Sequence, residues 1–437
     1  MTAALADAVA RGEGHPGRGR PVLVGFSGGL DSTVLLHLLA ADPATRAAGL
    51  RALHVHHGLQ GDADAWAQRC AAACAALGVP LDIVRVAVER DSGLGLEGAA
   101  REARLRAFAD ALRESEVLAL AHHRDDQAET FLLRALRGSG TDGLAAMRPW
   151  RAFAAGALWR PLLEQPRDAL HAYATTHGLD WIEDPSNIDA TLDRNFLRRQ
   201  LMPLLRTRWP HSDAMFARSA ALAAQASDLL ADEDAAALAA AGNDDGDGAT
   251  LQVATLRTMP SARLARVLRR WIATLGLPPL PGNGIERIDA MLGTHAHDAN
   301  PRFDWHGARV QRWRGLLHAG KIRAPLPRGW SCDWDGRTPL ALPNGDGIEP
   351  VGTDGFGEPL RVHARRGGER IRLPGRTHSH ALKQVLQEHA VPPWRRERLP
   401  LLSRGDTVLA AGDAILSGEF AAWLQARGAR LHWTPLA

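Results

Sequence analysis

A loop of small residues between an apolar run and a helical pattern constrains this 437-residue chain more than any other feature. The apolar run at 22–26 predicts a buried parallel strand, and residues 33–39 have the spacing of a helix packed on a sheet. The loop between them is Ser27-Gly28-Gly29-Leu30-Asp31-Ser32. Glycine lets the backbone approach a phosphate closely, and the free N–H groups of a helix N-terminus favour an anion. The pattern therefore predicts a phosphate-binding loop.

Asp31 is the unusual member of this loop, because a carboxylate repels phosphate unless a divalent cation lies between them. Its presence favours Mg²⁺. The loop lacks the Gly-Lys-Ser/Thr ending of a Walker A motif, and it does not match the dinucleotide-binding G-x-G-x-x-G pattern. It resembles the pyrophosphate-binding loop, S-G-G-x-D-S, of the N-type ATP pyrophosphatases. That resemblance implies cleavage of ATP between the α and β phosphates. The alternative is a tight turn that binds nothing.

The first 185 residues alternate between strand-like and helix-like segments. The predicted strands are 22–26, 51–56, 81–87 and 116–121, and the predicted helices are 31–41, 62–77, 97–114 and 125–137. This alternation predicts an α/β fold with a doubly wound parallel sheet. Ligands bind beyond the carboxyl ends of such strands, so the loop should lie close to His56-His57-Gly58 and to Ala121-His122-His123.

The remainder of the chain predicts two further domains, a helical middle domain and a small α+β C-terminal domain. We expect a catalytic domain over 1–209 and a mostly helical domain over 210–325. Residues 326–359 are rich in Pro and Gly and predict a linker. The last segment, 360–437, has short strand-like runs around one helix at 379–389.

Composition indicates the partners and the compartment only in part. The formal net charge is +3 and the sequence pI is about 9.1, and the only lysines among the 52 basic residues are Lys321 and Lys383. Arginine suits phosphates and stacked bases, although codon bias would produce the same composition. The three cysteines do not form a disulfide framework. No signal peptide or membrane span is evident, so we expect a cytoplasmic protein with no membrane partner, and an oligomer is compatible with the sequence.

An acidic block at 122–130 follows the fourth predicted strand. Asp125 is placed to cap the helix that begins there. His122, Asp126 and Glu129 then lie near one face of that helix. Such a set could bind Mg²⁺ or a cationic substrate. The alternative is an ordinary capped and charged helix start.

Three basic segments could contact an anion. Arg101 and Arg104 lie one helical turn apart, and Arg194 and Arg198 are four residues apart. In the tail, Trp394 is flanked by arginines, which fits contact with an RNA backbone and stacking on a base. Solvated helix faces and a buried tryptophan are the alternatives.

Together these motifs resemble the bacterial tRNA(Ile)-lysidine synthases. The segments that carry the resemblance are 27–32, 56–58, 96–104, 122–130, 137–140, 181–198 and 367–396. It implies a ligase that joins L-lysine to carbon 2 of the wobble cytidine in the isoleucine tRNA with a CAU anticodon. The product is lysidine, formed through an adenylated cytidine with release of AMP and pyrophosphate.

The resemblance also implies roles for individual residues. The residues expected to bind ATP are Ser27, Gly28, Gly29, Leu30, Asp31, Ser32, His56 and His122. Asp31 and Asp126 would hold Mg²⁺, and Arg104 and Arg194 would stabilise charge on the adenylate or the tRNA. Asp126 and Glu129 would bind the lysine ammonium group or Mg²⁺. The expected catalytic set is thus Asp31, Arg104, Asp126, Glu129 and Arg194, while the middle and C-terminal domains would hold the tRNA.

Three other functions remain open at this point. A tRNA thiolase of the same superfamily would need catalytic cysteines near the nucleotide, whereas Cys70 and Cys74 fall on a predicted outer helix as small core residues. A glutamine-fed amidotransferase would need a nucleophilic cysteine motif, which is not evident. A catalytically silent tRNA-binding protein would have no need for Asp31, Asp126 and Glu129.

Overall fold

The computed structural model describes residues 2–10, 15–58, 61–88, 95–183, 192–243, 248–293 and 300–435. These residues divide into two compact units, Met1–Ala231 and Asp232–Ala437. Each unit has its own hydrophobic core.

The first unit is built on a six-stranded sheet. Its strands are β1 (Val22–Gly25), β2 (Leu50–His56), β3 (Leu81–Arg85), β4 (Val117–Ala119), β5 (Trp150–Phe153) and β6 (Gly156–Trp159). The spatial order is β3-β2-β1-β4-β6-β5, and every pair except β5 with β6 is parallel. The chain order reverses at β1, which places the binding crevice of a doubly wound sheet beyond its carboxyl end.

Eleven α-helices of the described residues surround this sheet. They are α1 (Thr2–Val9), α2 (Leu30–Ala41), α3 (Pro43–Ala48), α4 (Ala63–Ala76), α5 (Gly95–Ala111), α6 (Arg124–Leu136), α7 (Thr141–Leu144), α8 (Arg167–Thr176), α9 (Asp193–Phe196), α10 (Met202–Arg208) and α11 (Ser212–Leu229). A π-helical turn, Leu197–Leu201, joins α9 to α10. The four predicted strands and the four predicted helices of residues 22–137 are confirmed to within a few residues.

Both faces of the sheet are buried, as a doubly wound fold requires. Val22 and Val24 of β1 pack into the same core as Leu35 of α2. Leu23, between them, points to the opposite face and packs with Phe108 of α5. Side chains alternate along a strand, so the continuous apolar run of β1 feeds two cores.

Helix α11 belongs to this first unit. It packs against α6 and α7. The rings of Phe131 and Phe216 stack with centroids 5.8 Å apart, and Arg148 pairs with Asp228 at 2.8 Å. The predicted domain boundary at 209 is therefore about twenty residues too early. Helical spacing predicts that α11 has an apolar face, but it does not show that this face packs on α6.

The second unit begins with helices and an antiparallel sheet. Its first elements are α12 (Ala231–Ala241), β7 (Thr250–Gln252), α13 (Val253–Arg257), α14 (Ser261–Thr274), α15 (Gly284–Gly293), β8 (Arg302–Trp305), β9 (Ala308–Trp313) and β10 (Leu316–Lys321). The sheet order is β7-β10-β9-β8. Trp271 of α14 and Ile288 of α15 pack with Val310 of β9 in one core. The middle region is thus helical in part, with a sheet as its other layer.

The prediction of a linker over 326–359 is wrong. The remaining elements are β11 (Ser331–Trp334), β12 (Leu340–Ala341), β13 (Gly347–Val351), β14 (Leu360–His363), β15 (Arg370–Ile371), β16 (His380–Ala381), α16 (Leu382–Glu388), α17 (Pro393–Arg396), β17 (Leu401–Arg404), β18 (Thr407–Ala411), β19 (Ile415–Leu416), α18 (Gly418–Gln425) and β20 (Arg430–Thr434). β11 pairs with β14, and β13 pairs with β20. The Pro and Gly residues of this stretch serve turns between short strands; Gly336 and Gly345, for example, have φ of 74° and 85°.

The C-terminal segment also differs from expectation in two places. It holds two additional helices, α17 and α18, and α18 begins where the side chain of Ser417 accepts a hydrogen bond from the backbone N–H of Phe420. Trp394, predicted to be available for base stacking, stacks on His318 with ring centroids 4.2 Å apart and contacts Trp313 edge-on. The tryptophan is therefore already engaged in a contact within the second unit.

No helix of the described ranges is long and apolar enough to cross a bilayer.

Candidate nucleotide site and its cluster of carboxylates and arginines

The predicted phosphate loop lies between β1 and α2, at the point where the strand order reverses. Gly28 has a φ of 81°. A Cβ atom at Gly28 would lie 2.7 Å from Cδ1 of Ile182 and 2.8 Å from Sγ of Cys70. Both the backbone conformation and the lack of space therefore require glycine here.

Hydroxyl groups hold the loop in shape. The Oγ atoms of Ser27 and Ser32 lie 3.1 Å apart, and Ser32 Oγ donates to the carbonyl oxygen of Gly29 at 3.0 Å. Gly29 is the N-cap of α2 and supplies no capping side chain, so the first N–H groups of this helix are not capped by their own N-cap residue. The side chain of Leu30 is buried in the core, so any contact that it makes with ATP would use its backbone.

A cavity of about 380 Å³ adjoins the loop. It is lined by Phe26, Gly28 and Thr33 together with residues of α2, α4 and the segment 178–182. His56, predicted to contact ATP, is not part of this lining. It is buried, and its Nε2 lies 3.1 Å from Oδ1 of Asp64.

His123, which the sequence placed near the loop without assigning it a role, links the loop to α6. Its ring is fully buried. Nε2 lies 3.5 Å from Oδ2 of Asp31 and 3.4 Å from Oδ2 of Asp126, and Nδ1 lies 3.7 Å from Oδ2 of Asp125. Burial opposes a charged ring, but the three carboxylates outweigh it and raise the pKa of His123 to about 10. The sequence did contain a signal for His123, because it is the second of two histidines that follow β4, the strand paired with β1.

Asp126 and Glu129 form ion pairs with two arginines. Asp126 Oδ1 lies 2.9 Å from Arg198 and 3.4 Å from Arg194. Glu129 receives Arg194 Nε at 2.9 Å and Arg198 Nε at 2.7 Å, and only 2% of its side chain is exposed. Burial acts against ionisation of Asp126, yet His123 and Arg194 hold its pKa low, at about 2. The four residues that the sequence placed in two separate segments thus form one cluster.

Asp125 does not cap its own helix as predicted. Its Oδ2 accepts from the backbone N–H of Arg167 at 3.0 Å, at the start of α8, and its Oδ1 pairs with Arg206 at 2.8 Å. Asp126 serves α6 instead, since its Oδ2 accepts from the backbone N–H of His123 at 3.0 Å. The chain has adjacent carboxylates here, and only the tertiary position of α8 decides which one caps which helix.

His122 is held by an arginine that sequence analysis also missed. Arg160 Nε donates to His122 Nδ1 at 3.2 Å. Burial is the main cause that lowers the pKa of His122 to about 3, and Arg160, Arg194 and Arg104 add to it against the opposing effect of Asp126. The imidazole is therefore neutral at physiological pH.

Arginines crowd around Arg104. Arg104 is exposed, and its guanidinium lies within electrostatic reach of the like charges of Arg101 and Arg194. Burial and then Arg151, Arg101 and Arg134 lower the pKa of Arg160 to about 10. So many like charges side by side favour an anionic ligand.

The carboxylates differ in their suitability for a metal. Within the ranges that the structure describes, no group of three or more His, Cys, Asp or Glu side chains is arranged to hold a metal ion. Asp31 Oδ1 is buried without a hydrogen-bond partner, whereas both oxygens of Asp126 have partners. Asp31 thus has an oxygen that is available to Mg²⁺, whereas Asp126 would bind the ion beside the contacts that it already makes with His123, Arg194 and Arg198.

The cysteines are confirmed as small core residues. Cys70 and Cys74 are buried one turn apart on α4. Burial raises the pKa of Cys70 to about 12 and that of Cys74 to about 11. Thiols with such pKa values are poor nucleophiles. Residues 184–191, part of the segment that carries the family resemblance, lie outside the described residues.

A loop of this composition at the switch point of a parallel sheet, with a carboxylate on its helix, is the site of the PP-loop class of ATP pyrophosphatases. A family model described as a PP-loop domain matches residues 7–205. Models described as the TilS substrate binding domain and the TilS substrate C-terminal domain match residues 251–318 and 360–433. The chain belongs to the tRNA(Ile)-lysidine synthase family.

Full-length relatives establish this membership. A tRNA(Ile)-lysidine synthase of Xanthomonas axonopodis pv. citri is 55% identical over 419 residues, covering 95% of this chain and 94% of that protein. Another, from Xylella fastidiosa strain Temecula1, is 52% identical over 423 residues, covering 96% of each. Among solved structures, a U34-tRNA thiolase from Methanococcus maripaludis has 20% identity and a TM-score of 0.41, covering 50% of this chain and 78% of that one, which is too little to bear on function.

Proposed function

We propose that this chain ligates L-lysine to carbon 2 of the wobble cytidine in the isoleucine tRNA with a CAU anticodon. ATP is consumed, lysidine is formed, and AMP and pyrophosphate are released. Membership of the lysidine synthase family over nearly the whole chain supports the substrate. One structural observation supports the chemistry best: through His123, the phosphate loop and the Asp126–Glu129–Arg194–Arg198 cluster form one continuous site.

In this proposal the loop binds the phosphates of ATP. The uncapped N-terminus of α2 supplies donors, and the hydroxyls of Ser27 and Ser32 supply more once phosphate replaces the hydrogen bonds that they make within the loop. The cavity beside Phe26 and Gly28 receives the adenine. Asp31 would hold Mg²⁺ together with phosphate oxygens, since this ion is commonly bound by one or two carboxylates plus substrate. When bound, it would neutralise phosphate charge. The arginines around Arg104 then face the pyrophosphate and the tRNA backbone.

Two displacements make up the reaction. The 2-oxo group of cytosine attacks the α phosphorus, the bond to the β phosphate breaks, and pyrophosphate leaves. The lysine ε-nitrogen then attacks carbon 2, the bond from carbon 2 to the bridging oxygen breaks, and AMP leaves with that oxygen. Arg104 and Arg194 stabilise the negative charge that develops in both steps.

The lysine subsite that we propose is the pair Asp126 and Glu129. Both carboxylates already bind Arg194 and Arg198, so the substrate ammonium group must replace at least one guanidinium contact. The amine must lose a proton before it attacks, and a carboxylate of this pair is the nearest acceptor in the cluster. Because tRNA is the substrate, we place the chain in the cytoplasm.

The proposal is tested by release of AMP and pyrophosphate from labelled ATP, with tRNA and lysine omitted in turn. We expect AMP release only when both are present. Release that needs tRNA and a sulfur donor but not lysine would establish a thiolase instead, a result that the raised pKa values of Cys70 and Cys74 argue against. No cleavage of ATP under any combination would leave a silent tRNA-binding protein.

A further inference from the structure

Arg160 is a buried arginine at the edge of the site. It directly follows β6, and His122 follows the neighbouring parallel strand β4, so both lie at the carboxyl ends of adjacent strands. Only 7% of Arg160 is exposed. Its Nη1 donates to the carbonyl oxygen of Arg148 at 2.7 Å, and its Nε donates to Nδ1 of His122 at 3.2 Å. Two contacts therefore fix the plane of the guanidinium.

This contact determines which nitrogen of His122 carries the proton. A guanidinium group has only donors, so Nδ1 of His122 must offer its lone pair. In a neutral imidazole the proton then lies on Nε2. No hydrogen bond from Nε2 to any of the described residues is present. His122 is thus a neutral ring with one N–H group left for a ligand.

The position of His122 relates this free donor to the reaction. Arg104, Arg194 and Asp126 are all close enough to the ring to influence its charge. They are the residues that bind the adenylate and the lysine in the proposed function. A neutral donor in this setting can stabilise an oxygen that gains negative charge without repelling the lysine cation.

We infer that Arg160 is a positioning residue, which holds His122 in its Nε2–H tautomer so that His122 donates a hydrogen bond to an oxygen of the reacting α phosphate. The inference rests on the proposed function, because the α phosphate is the centre that both displacements share. His122 keeps its proton throughout, and the protons and leaving groups of both steps are unchanged. The β and γ phosphates are still bound by the loop between β1 and α2, and not by His122 or Arg160.

Two substitutions of His122 separate the two ring nitrogens. The amide of Gln can place an N–H group near the position of Nε2, whereas the shorter Asn reaches only the position of Nδ1. We expect His122→Gln to keep kcat within about tenfold of the natural enzyme and His122→Asn to lose about a hundredfold, with the KM for ATP changed much less. Equal activity of the two variants would contradict a role for the Nε2 proton.

Nitrogen-15 NMR of protein with labelled histidine reads the tautomer without any activity. The His122 signals are those that vanish in the His122→Gln spectrum. We expect the neutral Nε2–H pattern between about pH 6 and 8, and in Arg160→Met a mixture of both tautomers. An Nδ1–H pattern or a charged ring in the natural protein would overturn the inference, and so would an unaltered tautomer in Arg160→Met.

Arg20→Met is the matched control for Arg160→Met. Arg20 also donates to backbone oxygens, of Ser115 at 2.7 Å and Glu116 at 3.2 Å, but at the opposite end of β4. We expect Arg160→Met to lower kcat about tenfold and to change the KM for ATP little. We expect Arg20→Met to leave kcat unchanged, even if both substitutions lower the melting temperature. If both variants lose kcat in proportion to stability, Arg160 is only structural. Failure of the proposed function would instead appear in the natural enzyme, as ATP cleavage that does not need lysine.

Discussion

At the scale of single residues, identical side chains have different roles because their partners differ. Asp31 and Asp126 both lie near His123, but Asp31 retains a buried oxygen without a partner and Asp126 is held by two arginines. Environment thus separates a carboxylate that is available to a ligand from one that is occupied.

Replacement of the loop carboxylate tests its proposed role. We expect Asp31→Asn to leave the fold intact and to lower ATP-dependent tRNA modification by about a hundredfold or more, because charge balance at the phosphates is lost. The control is Asp82→Asn, an exposed carboxylate at the start of β3 that pairs with Arg51. Circular dichroism and turnover would be measured together. Near-normal turnover in Asp31→Asn would exclude the proposed role at the phosphates.

A glycine substitution tests the shape of the loop. Gly28→Ala combines an unfavourable positive φ with close contacts to Ile182 and Cys70. Gly19→Ala is the control, since Gly19 has a φ of 70° but no atom within 4 Å of the added Cβ. We expect a loss of about 1 kcal/mol in unfolding free energy for Gly19→Ala, and a larger loss plus weaker ATP binding for Gly28→Ala. Equal effects in denaturant titrations would show that space at the loop is not limiting.

The buried histidine predicts a pH dependence of stability. The pKa of His123 is raised from 6.5 to about 10 in the folded chain. Its stabilising contribution is therefore complete below pH 6.5 and is lost as the pH rises through about 10. We expect the difference in unfolding free energy between the natural protein and His123→Gln to shrink between pH 7 and pH 10. A difference that stayed constant over this range would show that the ring is already neutral in the folded chain at pH 7.

At the scale of elements, short and irregular segments bring the charged groups together. The π-helical turn Leu197–Leu201 follows α9, and Arg194 and Arg198 from this stretch both reach Glu129. π-Helical turns are rare and are frequent at functional sites. The spacing of four residues predicted that Arg194 and Arg198 share a helix face. It did not predict that this face meets the carboxylates of α6.

Trp394 on α17 serves the packing of two elements. Its ring stacks on His318 of β10 and meets Trp313 of β9. We expect Trp394→Ala to lower the melting temperature of the second unit and to weaken tRNA binding only in proportion to that loss. Trp209→Ala, which removes a tryptophan that is 58% exposed in the first unit, is the control. A large loss of tRNA affinity without loss of stability would restore the base-stacking role predicted from sequence.

At the scale of the whole molecule, the strand pairing decides where the chain can be divided. A chain that ends at residue 359 keeps β11 and β13 but loses their partners β14 and β20. A chain that ends at residue 325 lacks β11 and β13 as well as β14 and β20. We expect the longer fragment to aggregate, because it exposes unpaired strand edges and half of a core.

The shorter fragment also tests the proposed division of labour. We expect it to bind ATP within a few-fold of the full chain and to bind tRNA at least about tenfold more weakly, since a large part of the arginine surface is removed. Gel-shift and ATP titrations measure the two affinities side by side. Equal losses of both would mean that the C-terminal elements are only structural.

The elements around the loop could be predicted because their signals are local. Continuous apolar runs, glycine in a tight loop and helical spacing depend on neighbours a few residues away, and β1, α2 and α6 formed where the sequence predicted them. The prediction of a linker over 326–359 was wrong because it too used only local signals. Pro and Gly mark turns whether the residues between them form strands or unstructured chain.

The sequence by itself determined the doubly wound sheet, the phosphate loop and the residue types of the site. Tertiary structure alone decided the partners: His123 between three carboxylates, Asp125 on the start of α8, Asp126 and Glu129 on two arginines, and Arg160 on His122. Apart from the local contacts of His123 with Asp125 and Asp126, these contacts join residues 38 to 92 positions apart in the chain, and such distant pairs leave no periodicity in the sequence. Charge and hydrogen bonding act through space, so their effects on pKa and tautomer appear only once the strands and helices have been brought together.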